Sequence, residues 1–105
     1  MNTASRKNIA VRDNANELRY ELLLDDAVVG EIRYRLAPDA VVLVHTEVLP
    51  ALEGSGLGGR LVAGALDDIR ARGLHVVPIC PFVRSYLGRH PDYRDLVVRD
   101  PEVSD

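Results

Sequence analysis

Gly54, Gly56, Gly58 and Gly59 fall within the run Glu53-Gly54-Ser55-Gly56-Leu57-Gly58-Gly59-Arg60. Glycine, having no Cβ, enters positive φ freely and lets a ligand approach the backbone closely. If a helix begins inside this run, its first N–H groups lack partners and present partial positive charge. A phosphate or pyrophosphate is the natural occupant of such a site. Arg60 could add a charge-assisted contact. No Lys-Ser/Thr pair follows the last glycine, so this is not a Walker loop. The dinucleotide-binding alternative also fits poorly: the preceding strands read as a meander, and no strand with a ribose-binding acid follows about 20 residues on. What remains beside an anion site is a tight strand-to-helix turn with no ligand. A second reactive group is Cys80, the only cysteine. It precedes Pro81, which suits the first position of a helix. A thiol at that edge is favoured as thiolate; the alternative is a buried, inert cysteine.

The elements that must position these groups follow from periodicity. Leu18, Tyr20, Leu22 and Leu24 alternate with Glu17, Arg19 and Glu21, which predicts a half-buried strand over 17–24. Asp25-Asp26 makes a turn, and Val28, Gly30, Ile32, Tyr34 and Leu36 alternate through a second strand, completing a hairpin. Residues 9–11 suggest a shorter strand before them. Val41 to Val44 form a continuous apolar run, read as a central strand buried on both faces and continuing to Val48. After the glycines, Leu57, Leu61, Ala65 and Ile69 recur every fourth residue, with Val62 and Leu66 beside them, so a helix runs to Gly73. Residues 74–79 predict a strand whose end is weakened by Pro78. A short helix from Pro81 carries Phe82, Tyr86 and Leu87 on its apolar face, and residues 96–98 suggest a last strand. Strand, helix and following strand form a crossover, so those two strands should be parallel.

Size and charge bound the answer. A chain of 105 residues allows one domain, here 1–105, with polar tails at 1–8 and 99–105 expected to fray. A net charge of -3 argues against general nucleic-acid binding. No apolar run approaches the ~20 residues of a membrane span, and residues 1–8 do not read as a secretory signal. One cysteine excludes an internal disulfide. The expectation is a cytoplasmic protein. His75 and His90 have no partners at ligand spacing, so no metal site is expected.

Glu53-Gly54-Ser55-Gly56-Leu57-Gly58 resembles the pyrophosphate loop of GNAT acetyltransferases, with Gly56 and Gly58 on the two required positions and Glu53 in place of the usual Gln or Arg. Together with His45-Thr46-Glu47-Val48, Pro78-Ile79-Cys80 and His90-Pro91-Asp92-Tyr93, the ordered set looks like the small, single-domain YjdJ-type branch. The resemblance spans about residues 22–97. It implies an α/β (α+β) GNAT-like domain: a mixed, mostly antiparallel sheet with one parallel crossover and splayed central strands forming a CoA cleft.

The resemblance further implies an acetyl-CoA-dependent N-acetyltransferase. The pantetheine arm would pair with the backbone of Glu47, Val48 and Leu49, and the amides from Gly54 through Ser55, Gly56, Leu57, Gly58 and Gly59 to Arg60 would hold the pyrophosphate. Cys80 would lie near the thioester, either accepting the acetyl group or lining the acyl pocket. His45 and Glu47, two apart on a strand, share one face. Either could deprotonate the incoming ammonium. Tyr86 lies where the family often places a tyrosine that protonates the leaving thiolate. Arg84 and Arg89 could touch the CoA phosphates, but read first as exposed helix charge. Asp25-Asp26 stands where larger relatives carry helices that shape the acceptor site, so an open site for a broad or macromolecular amine acceptor is expected. The competing readings are a non-catalytic CoA or acyl-CoA-binding module, and a small interaction domain whose glycines serve only the turn.

Overall fold

A computed structural model describes residues 8–98. Both expected tails lie outside these residues, except Asn8. Five strands form one sheet in chain order: β1 (Ile9–Asn14), β2 (Arg19–Leu24), β3 (Ala27–Ala37), β4 (Ala40–Val48) and β5 (His75–Pro78). The first four meander antiparallel; β4 and β5 are parallel, joined through α1 (Leu57–Ala71). A second helix, α2 (Pro81–Arg89), follows β5 directly.

α1 forms as its spacing predicts. Leu61, Val62, Ala65, Leu66 and Ile69 are fully buried against Tyr20, Leu22, Ile32, Tyr34, Val41 and Leu43 of the sheet. Gly73 stops the helix with φ 72°. Three buried or half-buried tyrosines tie the fold together through aspartates: Tyr20 donates to Asp68 at 2.7 Å, Tyr34 to Asp13 at 2.6 Å and Tyr93 to Asp67 at 2.7 Å. Arg72 bridges Asp13 and Asp68, both at 3.0 Å, clamping the end of α1 to the sheet. On the opposite sheet face Glu21 is 1% exposed. It accepts from Arg12 at 2.9 Å, Asn14 at 2.9 Å and Arg19 at 2.7 Å. These donors, Asn14 foremost, hold its carboxyl well below the usual range, at about 2.

Several expectations need correction. The first strand is longer than 9–11 and pairs along the whole of β2. Asp25-Asp26 turns between β2 and β3 as expected, while β1 reaches β2 through a 3-10 turn (Ala15–Glu17) that Asn14 caps; Leu18 leaves it at φ 52°, exposed. Strict alternation fails at two β-bulges. Leu22 pairs with Gly30 and Leu23 with Val28, so Val29 is the extra residue and turns inward while Val28 is exposed. Tyr34 pairs with Leu43 and Arg33 with His45, so Val44 is extra; it is 40% exposed rather than buried on both faces. β4 is nevertheless an interior strand, flanked by β3 and β5, and Val41, Val42 and Leu43 are buried as expected. On α2, Val83 is buried with Tyr86, whereas Phe82 is exposed. Residues 96–98 do not form a strand. Pro91–Leu96 is 3-10 helical, held by Tyr93 to Asp67 and by Arg70 to Asp95 at 2.8 Å, and only Val97 bridges to Val76.

Candidate active site

The bulge at Val44 decides which side chains reach the helix side of β4. Without it, His45 and Glu47 would follow Leu43 onto the core face. The extra residue inverts the phase, so Thr46 and Val48, opposite Ile32 and Gly30, take the core side and His45 and Glu47 turn outward. His45 Nε2 lies 3.9 Å from Glu47 Oε1, and both side chains are open to solvent. Their expected shared face is present.

β4 and β5 separate just before this segment. The ladder ends at Leu43–Pro78, and the amides of Ile79 and Cys80 both turn onto the Leu43 carbonyl at 3.0 and 2.9 Å. The chain then enters α2, with Pro81 at its first position. Beyond Leu43, β4 has no β5 partner, so an edge of its backbone faces a cleft of about 590 Å³. One wall is Thr46, Glu47 and Val48; the far wall is Phe82, Tyr86, Arg89 and His90; the end is Leu52, Glu53, Gly54, Gly56, Gly58 and Gly59.

The glycine loop leads directly into α1. Gly54 at φ 81° and Gly56 at φ 88° occupy the left-handed region, and a Cβ at either would meet open space. Backbone conformation, not crowding, therefore demands glycine there. Gly56 caps α1, whose first-turn N–H groups at Gly58 and Gly59 have no intrahelical partner. Ser55 serves the turn instead: its Oγ donates to the Leu52 carbonyl at 2.5 Å and accepts from the Leu57 N–H at 3.3 Å.

Of the residues expected to bind cofactor, Glu47, Val48, Gly54, Gly56, Gly58 and Gly59 line the cleft. Leu49 instead lines a smaller groove with Val28 and Pro50, Leu57 packs against the core, and Ser55 and Arg60 lie outside the lining. Cys80 does not line it either. It is 3% exposed within the core, its Sγ 3.2 Å from Thr46 Oγ1. Tyr86 does line it. Burial and the nearby Asp92 and Asp67 raise its pKa, against a lowering by Arg89. Of the four tyrosines it alone donates to no side chain among the described residues, leaving its hydroxyl uncommitted. Thr46, Leu52, Glu53, Phe82, Arg89 and His90 complete the cleft. Arg89, read from the sequence as surface charge or a contact to the CoA phosphates, lies at the end of α2 and lines the cleft, donating to Ser85 Oγ at 2.8 Å. Among the described residues no cluster of His, Cys, Asp and Glu could hold a metal ion, and no helix is long and apolar enough to cross a membrane.

Comparison with known proteins shows which family builds a parted mixed sheet beside a glycine-capped helix. The model of the GCN5-related N-acetyl-transferase family matches residues 19–96, and the chain belongs to that family. A GCN5-like putative N-acetyltransferase from Staphylococcus aureus, solved by NMR, superposes with a TM-score of 0.66 at 23% identity, covering 90% of this chain and 93% of that one. The ribosomal-protein-S18-alanine N-acetyltransferase from Escherichia coli gives 0.53 at 21% identity, over 58% of this chain and 40% of that one. No curated protein matches.

Proposed function

We propose that this chain is an acetyl-CoA-dependent N-acetyltransferase of the small, single-domain YjdJ-type branch, transferring an acetyl group to a primary amine on an openly bound acceptor. One observation carries the reading: the unpaired β4 edge, the glycine-capped start of α1 and the uncommitted hydroxyl of Tyr86 meet at one cleft.

The residues fit the cofactor. Backbone N–H groups of the loop, with Gly54 and Gly56 in positive φ, would hold the pyrophosphate. The β4 edge at Glu47 and Val48 offers peptide groups for the pantetheine arm, whereas the Leu49 N–H and carbonyl are already bonded to Val29 and Leu52. With a net charge of -3, attraction for a polyanion must come from these local dipoles and from Arg89 at the cleft mouth. Acetyl-CoA supplies a thioester whose acyl carbon accepts the amine nitrogen while its C–S bond breaks. Glu47, with His45 beside it, takes the proton of the incoming ammonium directly or through one water. Tyr86 gives its proton to the leaving sulfur; its raised pKa keeps that proton in place until charge develops there. Transfer is direct. Cys80, enclosed in the core and bonded to Thr46, supports the β4 wall instead of carrying the acyl group.

The short 3-10 link after β1 leaves the acceptor side uncovered, which suits a protein amine. The Escherichia coli structure acts on an alanine of a ribosomal protein, so peptide N-termini belong in the first acceptor panel. A single buried thiol and absence of an internal disulfide fit work in the cytoplasm.

Calorimetric titration with CoA and acetyl-CoA, followed by thiol release over a panel of peptide N-termini, lysyl peptides and small amines, tests the reading. Binding with turnover supports it. Binding without turnover on any amine leaves a CoA-binding module, and no binding overturns both.

A further inference from the structure

We propose that His90 is a positioning residue for the transfer reaction, acting by holding the ring of Tyr86 in the orientation from which it donates its proton. The proposal rests on the reading of Tyr86 given above.

The imidazole lies flat on the phenol: the ring centroids are 3.9 Å apart and the planes differ by 18°. Both side chains line the cleft. The spacing of four residues puts them on one side of α2, whose last helical residue is Arg89. The other edge of the phenol meets α1, since a Cβ on Gly59 would lie 3.5 Å from Tyr86 Cε2. The ring is thus confined by the start of α1 and by His90.

His90 is itself anchored. Its N–H donates to the Leu87 carbonyl and its carbonyl accepts from the Tyr93 N–H, each at 3.2 Å. Pro91 disfavours a helical backbone at His90, which stands at φ -132° and ψ 77°. The 3-10 segment that follows is fastened to α1 by Tyr93 to Asp67 and by Arg70 to Asp95 and to the Asp92 carbonyl. The plate against which Tyr86 stacks is therefore fixed to α1, not only to α2. Tyr20, Tyr34 and Tyr93 are oriented by bonds from their hydroxyls to aspartates. Tyr86 keeps its hydroxyl free, and a stacked ring orients it without consuming the proton.

The test is a double-mutant cycle of His90→Ala and Tyr86→Phe, with His90→Phe as the conservative variant. His90→Ala should lower kcat by ~10- to 100-fold, as expected for a misplaced catalytic group. KM and Kd for acetyl-CoA should stay within about twofold, since uniform binding is untouched. His90→Phe, which retains a flat ring, should recover most of the rate. In the Tyr86→Phe background, His90→Ala should cost nothing more, because it acts through the lost hydroxyl. The stack has its own readout in the ligand-free protein: His90 ring protons should be shifted upfield by NMR and move back in Tyr86→Leu. Losses that multiply in the double mutant, or an unchanged kcat in His90→Ala beside an active wild type, overturn the proposal alone. A wild type that binds CoA and turns over no amine overturns the parent reading, and this proposal with it, even where the NMR shift is present.

Discussion

Gly64→Ala is the substitution for which local and tertiary effects oppose each other most clearly. Gly64 sits mid-way along α1, where alanine in place of glycine ordinarily stabilises a helix by about 1 kcal/mol. Here an added Cβ would lie 2.6 Å from Cβ and Cγ2 of Val11 and 2.9 Å from its Cγ1. Rotating Val11 cannot relieve this, because its own Cβ is among the clashing atoms and its position is set by the backbone of β1. The relief must come from β1 moving away from α1, which loosens packing along the sheet edge. Overpacking of this kind costs about 1–3 kcal/mol. Subtracting the helix gain leaves a net loss of ~1 kcal/mol, equivalent to roughly 4–8 °C in Tm for a domain of this size. Urea denaturation measures it, with a midpoint lowered by roughly 0.5 M. Val11→Ala made together with Gly64→Ala should show a coupling energy that recovers the overpacking term. A midpoint that rises in Gly64→Ala, as it would in a solvent-facing helix, refutes the close approach of α1 to β1.

Gly58→Ala, in the first turn of the same helix, should behave oppositely: its Cβ would lie 2.7 Å from Cζ of the exposed Phe82, which can swing aside, so the urea midpoint is kept while calorimetry finds CoA affinity down by about tenfold as a methyl and a displaced ring enter the cleft. Glu21 has a carboxyl lowered from 4.5 to about 2 in the folded state, so its contribution to stability is complete above pH 4.5 and is lost as pH falls towards 2; Glu21→Gln should lower the urea midpoint at pH 7 and flatten its pH dependence across that window. Cys80 should resist thiol reagents in the native protein and react on unfolding, and Cys80→Ala should leave kcat essentially unchanged; acetyl found on Cys80 by mass spectrometry during turnover would defeat direct transfer.

Much of the site was legible in the chain because it is local. The glycine run, the four-residue repeat of α1 and Pro81 at the start of α2 are short-range patterns, and the loop, the helix and the helix start stand where those patterns put them. The two bulges were not legible. Alternation carries no mark of an inserted residue, and within each pair, Val28 with Val29 and Leu43 with Val44, the two side chains are chemically near-equal choices for the inward position. Only pairing with the adjacent strand selects one. The run at residues 96–98 has strand composition, yet Pro91 and the fastenings of Tyr93 and Arg70 to neighbouring side chains make the segment before it 3-10 helical.

The amino-acid sequence by itself determined the glycine loop, the helix behind it and the parallel crossover, since backbone freedom at glycine and apolar period act over a few residues. Tertiary structure alone decided what the neighbouring side chains do. The bulge at Val44 turned Glu47 and His45 outward and Thr46 inward, and burial placed Cys80 beneath the wall and not in it. Contacts between residues far apart in the chain gave three tyrosines an aspartate each. Among the described residues Tyr86 was left with no side-chain partner for its hydroxyl and with a histidine against its face. Which groups meet across roughly 20 to 50 residues depends on how the sheet curls and where the helices land, and that is a property of packing.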